Sequence, residues 1–339
     1  MTTTITVGTV FMRYLTLTLT FLLTLATSLA AIAALSGTLV VVNKRGDNMS
    51  FIDLGSRQVV ATRATGKGPH EVAVTKDGKW AVVTDYVGGN SLSVFDIVQA
   101  KKVRTIDLSQ YPWPHGILFL ADQKRVAVSA EGADAVVIAN IFSGEITQAL
   151  NTEQKGSHMV ALTGRTDKVY TTNMQSNSVS ELSIDEGKLL RQISMPETPE
   201  AIAISANGDE LWVGSNKAGL VTVFNTATGE QLKQWRDYTF PYRILLSQDE
   251  KYAVIPDFRQ NTLDIIENAT KKRLKRIQFP EKTTPNGVIF APDQRTLFMS
   301  AYDQNKVFVI DVPSGKVKFE LPAGDGPDGI GYSPFTLGQ

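Results

Sequence analysis

The chain has 339 residues with 34 basic and 34 acidic side chains, so it lacks the basic field that draws a protein to nucleic acid or to an anionic membrane. It contains no cysteine, which excludes disulfides, thiolate metal sites and cysteine nucleophiles. Its length allows two domains, but no linker, low-complexity tract or charge block divides it, and one closed repeat fold is equally consistent.

The first predicted element is a leader. Arg13 is the only charge before a Leu- and Thr-rich apolar run from Tyr14 to Leu25, and Ser28-Leu29-Ala30 and Ala31-Ile32-Ala33 both present a small-x-small cleavage pattern. This predicts a signal peptide over 1–33, cut after Ala30 or Ala33, and a periplasmic or secreted protein. An uncleaved anchor is the alternative, but the run is short for a membrane span and broken by threonines. Without disulfides, closure of the fold itself has to stabilise an exported protein.

From Thr38–Val42 onward the chain reads as short Val-, Ile- and Phe-rich strands separated by Gly, Asp, Asn and Pro, with no helical periodicity. A slot ahead of an apolar run recurs in PHEVAV (His70), PHGILF (His115), SHMVAL (His158), PEAIAI (Glu200), PYRILL (Tyr242), PNGVIF (Asn286) and PDGIGY (Asp328), at steps of 45, 43, 42, 42, 44 and 42 residues. Seven units of this length are a propeller signature. The unit starting at Glu200 predicts strands at Ala201–Ser205, Leu211–Gly214, Val221–Asn225 and Gln231–Trp235, with type I′ turns at Asn207-Gly208 and Asp77-Gly78. The expected fold is all-β, a seven-bladed β-propeller of four-stranded antiparallel blades over 37–335. Thr38–Val42 would join a strand at Gly329–Ser333 to close the last blade, so no sheet edge stays free and a monomer is expected.

The stretches VVTDYVGGNSLSVFDIVQAKKVRTIDL, PHGILFLADQKRVAVSA and LFMSAYDQNKVFVIDVPSGKVKFELPAG resemble the YVTN-type β-propeller repeat. The resemblance covers the chain after the leader, extends to YncE-like exported proteins and, more distantly, to haem d1 propeller domains. It implies a scaffold that hosts binders, lactonases and cofactor-bearing domains, so the reaction is left open.

If the first strand of each blade is innermost, the slot residues His70, His115, His158, Glu200, Tyr242 or Arg243, Asn286 and Asp328 ring one channel mouth. The loops after the second strands add Lys44, Arg45, Asp85, Tyr86, Glu131, Asn173, Lys217, Asp257, Arg259 and Tyr302 to the same face. Three imidazoles on consecutive blades, His70, His115 and His158, are a ligand set for zinc or copper, with Glu200 as a possible oxygen ligand. The d1-type resemblance implies haem as a further candidate. The plainer alternative is that each imidazole hydrogen-bonds a loop and fixes its turn. These residues predict a small-molecule ligand, a metal-bound cofactor or a protein partner at the mouth. A lactonase-type hydrolase using His115 or His158 with Glu131 or Asp85 is the alternative, and a pure interaction scaffold a third. No Gly-x-Ser-x-Gly elbow or Walker loop occurs. Trp80, Trp212 and Trp235 are expected between blades, and Lys271–Arg276 on a solvated outer strand.

Overall fold

The computed structural model describes residues 35–337, so the expected leader at 1–33 lies outside the described residues. The apolar runs form seven four-stranded antiparallel sheets, and the only helices among the described residues are 3-10 turns at Glu131–Ala133 and Tyr302–Gln304. The unit starting at Glu200 shows the pattern, with strands at Pro199–Ile204, Glu210–Ser215, Leu220–Asn225 and Gln231–Trp235. First strands of neighbouring blades touch one another around the axis, so they are innermost. Second and third strands are buried between blades, where Trp212, Tyr170, Phe51, Phe95 and Phe298 are almost fully enclosed, while the outermost strands are largely exposed. Trp80, Trp212 and Trp235 all join apolar clusters between blades, as expected.

The ring closes as the sequence predicts. Thr38–Asn43 pairs antiparallel with Pro327–Ser333, in the register Thr38↔Ser333, Val40↔Gly331 and Val41↔Ile330. Thr38 Oγ1 donates to Phe335 O at 2.7 Å, and Ser333 Oγ donates to Gly78 O in the next blade at 2.7 Å.

The hairpin turns differ from the type I′ expectation, which needs positive φ at both central residues. Gly78 and Gly208 take positive φ (75° and 82°), but Asp77 and Asn207 do not. Each loop is instead four residues long, closed by Gly78 N–H to Thr75 O and Gly208 N–H to Ser205 O. Asp77 Oδ1 accepts from Thr75 Oγ1 and Lys79 N, a side-chain-stabilised turn that leaves one left-handed position to fill. Gln123, Glu250 and Gln294 occupy that position elsewhere, and their side-chain oxygens accept from Lys76 N, Ala206 N and Gln248 N in the preceding blades.

A bulge sets the slot. In each complete innermost strand the register shifts just after the first residue, for example between Pro69 and Val72, and between Pro114 and Ile117. A hydroxyl of the second strand fills the gap. Thr84 Oγ1 accepts from Glu71 N (3.0 Å) and donates to His115 O of the next blade (2.9 Å). Ser129 and Thr172 repeat the device towards His158 O and Glu200 O, and Ser300 Oγ donates to Asp328 O, so these four slot residues are fixed by their neighbouring blades. Gly329 follows the slot, and a Cβ there would lie 2.6 Å from His70 O and 2.9 Å from Glu71 Cα. Gly329→Ala is therefore expected to cost about 1–3 kcal/mol by overpacking the innermost ring, read as a lower urea midpoint. An unchanged midpoint would mean that the blades are loosely apposed.

The basic cluster at Lys271–Arg276 corrects the picture of a solvated edge. It does lie on an outermost strand, Lys272–Gln278, but Arg276 donates through Nε and NH2 to the fully buried Asp264 at 2.7 and 2.9 Å. Arg273 Nε lies 2.6 Å from Asp264 Oδ2, and Lys271 Nζ pairs with Glu210 at 2.6 Å and sits over Trp212. Arg273 and Arg276 thus tie the outermost strand to the third strand of their own blade, and Lys271 pins that blade to the one before it.

Candidate functional site

The bulges aim slot residues from several blades into one buried polar cluster. His70, His115, His158, Glu200, Arg243, Asn286 and Asp328 are each at most 7% exposed, so they lie below the mouth rather than around its rim. His115 Nε2 faces His70 Nε2 at 3.2 Å. The His115 and His158 rings overlap at a centroid distance of 3.6 Å, and those of His70 and His115 at 4.1 Å. Burial, reinforced by the neighbouring imidazole and by Lys44, holds His70 and His115 well below the usual histidine pKa, so both are neutral.

Acids and bases surround this core. His158 Nδ1 lies 3.0 Å from Glu131 Oε2, and Tyr86 OH donates to the same oxygen at 2.7 Å. Burial pushes Glu131 up, but its bonds to His158 and Tyr86 outweigh it and hold the carboxyl below its ordinary value. Glu200 faces His158 Nε2 and Arg243 NH1, each at 3.8 Å, and accepts from Asn216; burial raises its pKa to about 7. Arg243 donates to Glu71, and burial lowers the guanidinium to about 10. Asp328 lies 3.6 Å from both Lys44 Nζ and His70 Nδ1, and Tyr242 OH bridges its carboxylate and His70 Nε2 at 3.4 Å. Asn286 is buried with its Oδ1 unpaired.

Three sequence candidates are not brought into this cluster. Asp85 is buried, but its oxygens accept from Gly66 N, Ser91 Oγ and Ser93 Oγ, which tie down the loop of its own blade. Asp257 likewise accepts from Thr239, Phe240, Arg259 and Gln260 backbone N–H groups. Arg259 is exposed and lies over the Phe240 ring at 4.7 Å. All three sit at or just after the end of a second strand, where the repeat needs a loop anchor. Among the other loop residues, Arg45 pairs on the surface with Asp303 and Asp325, and Asn173 bonds Ser178 and Ser180.

Glu71 was missed. Strict strand alternation would turn it away from His70, but the bulge carries both towards the axis, with His70 Nδ1 3.3 Å from Glu71 Oε1. Among the described residues, the ligand atoms of His70, Glu71 and His115 converge within 4.8 Å of one another, a grouping able to hold a metal ion. The three imidazoles do meet, but His158 packs against His115 and is engaged by Glu131, so Glu71 stands where His158 or Glu200 is expected as a ligand. A tetrahedral zinc with Zn–N near 2.0–2.1 Å separates two ligand nitrogens by about 3.3 Å, and the His70–His115 spacing matches. Haem does not fit on this triad, because the closely overlapping rings leave no gap for a macrocycle.

No family model matches the chain. A curated relative, Antigen Lp49 of Leptospira interrogans (serogroup Icterohaemorrhagiae, serovar copenhageni, strain Fiocruz L1-130), is 22% identical over 229 residues, covering 58% of this chain and 49% of its own length, so the chain matches about half of that protein. Solved structures share the fold. Hydrazine synthase of Kuenenia stuttgartiensis superposes with a TM-score of 0.71 at 20% identity, covering 81% of this chain and 92% of that one. A functionally unknown protein from Desulfotomaculum acetoxidans DSM 771 gives 0.72 at 15% identity (88% and 99%), and dihydro-haem d1 dehydrogenase NirN in complex with DHE gives 0.63 at 14% (88% and 75%). These likenesses establish a seven-bladed propeller. Among the described residues no helix is long and apolar enough to cross a membrane.

Proposed function

We propose that this chain is an exported, YVTN-type propeller that binds one divalent transition-metal ion, zinc or copper, on His70, Glu71 and His115. The observation that carries this reading is the pair of neutral, buried imidazoles whose Nε2 atoms face each other at 3.2 Å with a carboxylate in reach. Borderline-soft nitrogen donors suit zinc and copper. Charge is consistent with it: Arg243 pairs with Glu71 and Lys44 with Asp328, which leaves Glu131 and the partly protonated Glu200 without a cation of their own. The leader-like sequence at 1–33 supports export.

Chelator-treated protein titrated with zinc and with copper(II) by calorimetry is expected to take up one ion per chain. His115→Ala should weaken binding by at least about 100-fold, beyond the loss typical of an outer-shell partner. No saturable uptake of either ion, or uptake indifferent to His70→Ala and His115→Ala, would leave the facing nitrogens as a structural hydrogen bond between two imidazoles.

A hydrolytic reading has its own observation, since Glu131 orients His158 as a carboxylate orients a general base. Lactone turnover lost in His158→Ala while metal uptake persists would favour it.

A further inference from the structure

Beyond the polar cluster, the innermost strands change character within a few residues. Their slot ends are polar in every blade, whereas the residues further along, past Glu71 and Arg243, are apolar and line an open-ended cavity of about 300 Å³. Nineteen residues from all seven blades line it, and only Glu71 and Arg243 carry polar side chains. We infer that this channel is a socket for a small uncharged apolar molecule, such as an alkyl chain with a neutral polar end, bound with its body between Val72, Leu118, Met159, Ile204, Leu245 and Ile289.

Core packing accounts for only part of the surface of these side chains. Leu118 is 39% exposed, and Val72, Met159, Ile204, Leu245 and Ile289 are half-buried: Val72, Met159, Ile204 and Leu245 each pack one side on a core cluster, and all six still leave apolar surface in the channel. Apolar surface gathered in a concave site is a mark of ligand binding. The size is at the low end of small-molecule sites and holds roughly ten non-hydrogen atoms at about 30 Å³ each. Charge sets the class: Arg243 donates to Glu71, so the two ionic side chains of the lining already neutralise each other, and a charged occupant would lose its hydration without gaining a counter-ion. A hydroxyl or carbonyl at the ligand's end can still hydrogen-bond to that pair. The socket needs no metal, so it stands or falls separately from the ion-binding reading.

The test uses the full propeller, treated with EDTA and then untreated, titrated by calorimetry and ligand-observed NMR with 1-octanol, octanoate and octylammonium. Saturable binding of 1-octanol is expected at one site per chain, at least tenfold tighter than either ion. Leu118→Trp, which fills the channel from its most exposed wall residue, should abolish it without lowering the melting temperature. Should that variant fold poorly, Leu118→Asp should still cut octanol affinity at least tenfold. Non-saturable octanol uptake, binding unchanged in both variants, or octanoate bound more tightly than octanol would each overturn the inference.

Discussion

A chain ending at Asp328 should fail to form a stable propeller at all. That truncation removes the strand that pairs with Thr38–Asn43, the Ser333 bond to Gly78 and the buried Ile330. At about 1 kcal/mol net for each of several lost ladder bonds and ~2 kcal/mol for Ile330, the loss is on the order of 5 kcal/mol or more, comparable with the whole stability of many domains. The exposed edge of Thr38–Asn43 also becomes a template for pairing between molecules. We expect aggregation on expression, or a broad melt far below that of the full chain. A truncated protein that melts cooperatively at the full-length temperature would show that the closing pair is dispensable and that six blades hold the ring.

The second large effect is pH dependence in the metal-free protein, and two opposing groups decide its sign. His70 and His115 are neutral in the fold, with pKa values well below the unfolded value of 6.5. Their contribution is complete above pH 6.5 and is lost as the pH falls, because the unfolded chain binds the protons. Glu200 works in the opposite sense: raised to about 7 from 4.5 by burial, its contribution is present below pH 4.5 and lost as the pH rises through 7. Each group changes stability by about 1.4 kcal/mol per pH unit inside its window. Two histidines act against one carboxyl, so a net loss of stability is expected as the pH falls from 6.5 towards 4.5. Urea midpoints should fall steadily over that range. In His70→Gln/His115→Gln only Glu200 remains of the three, so acidification from pH 7 to 4.5 should raise the midpoint instead. A flat profile in the unmodified protein, or the same downward slope in the double variant, would contradict the assignment of these groups as the titrating ones.

The fold was legible in the sequence because a propeller repeats its constraints. The slot before each apolar run recurs every 42 to 45 residues, and the terminal strands complement each other, so blade number, strand order and closure all follow from spacing. Loop chemistry was less legible. Asp77 and Asn207 before glycine suggested two left-handed residues, yet their side chains accept hydrogen bonds within a four-residue loop that needs only one. The candidate site was half legible for a related reason. In-register histidines pointed to convergence, and their rings do overlap at the axis. The bulge that turns Glu71 inward leaves no mark in a period-two pattern, and Asp85 and Asp257 resemble site acids until their backbone partners are seen. The pairing of Lys271–Arg276 left no such mark, because Asp264, the buried carboxylate that Arg273 and Arg276 hold, stands between Leu263 and Ile265 in the third strand, Thr262–Glu267. Tyr86 packs edge-on against His70 and His115, donates to Glu131 and lies beneath Lys44 Nζ, a stacking of loop residues on the imidazoles that spacing alone does not show.

The most direct measurement is X-ray absorption at the metal edge of zinc- and copper-loaded protein, alongside His70→Ala and Glu71→Gln. The account predicts two imidazole shells at about 2.0–2.1 Å and an oxygen shell, with one imidazole lost in His70→Ala and the oxygen shell altered in Glu71→Gln. A metal bound without imidazole, or with an environment unchanged in both variants, would contradict the placement of the ion on His70, Glu71 and His115.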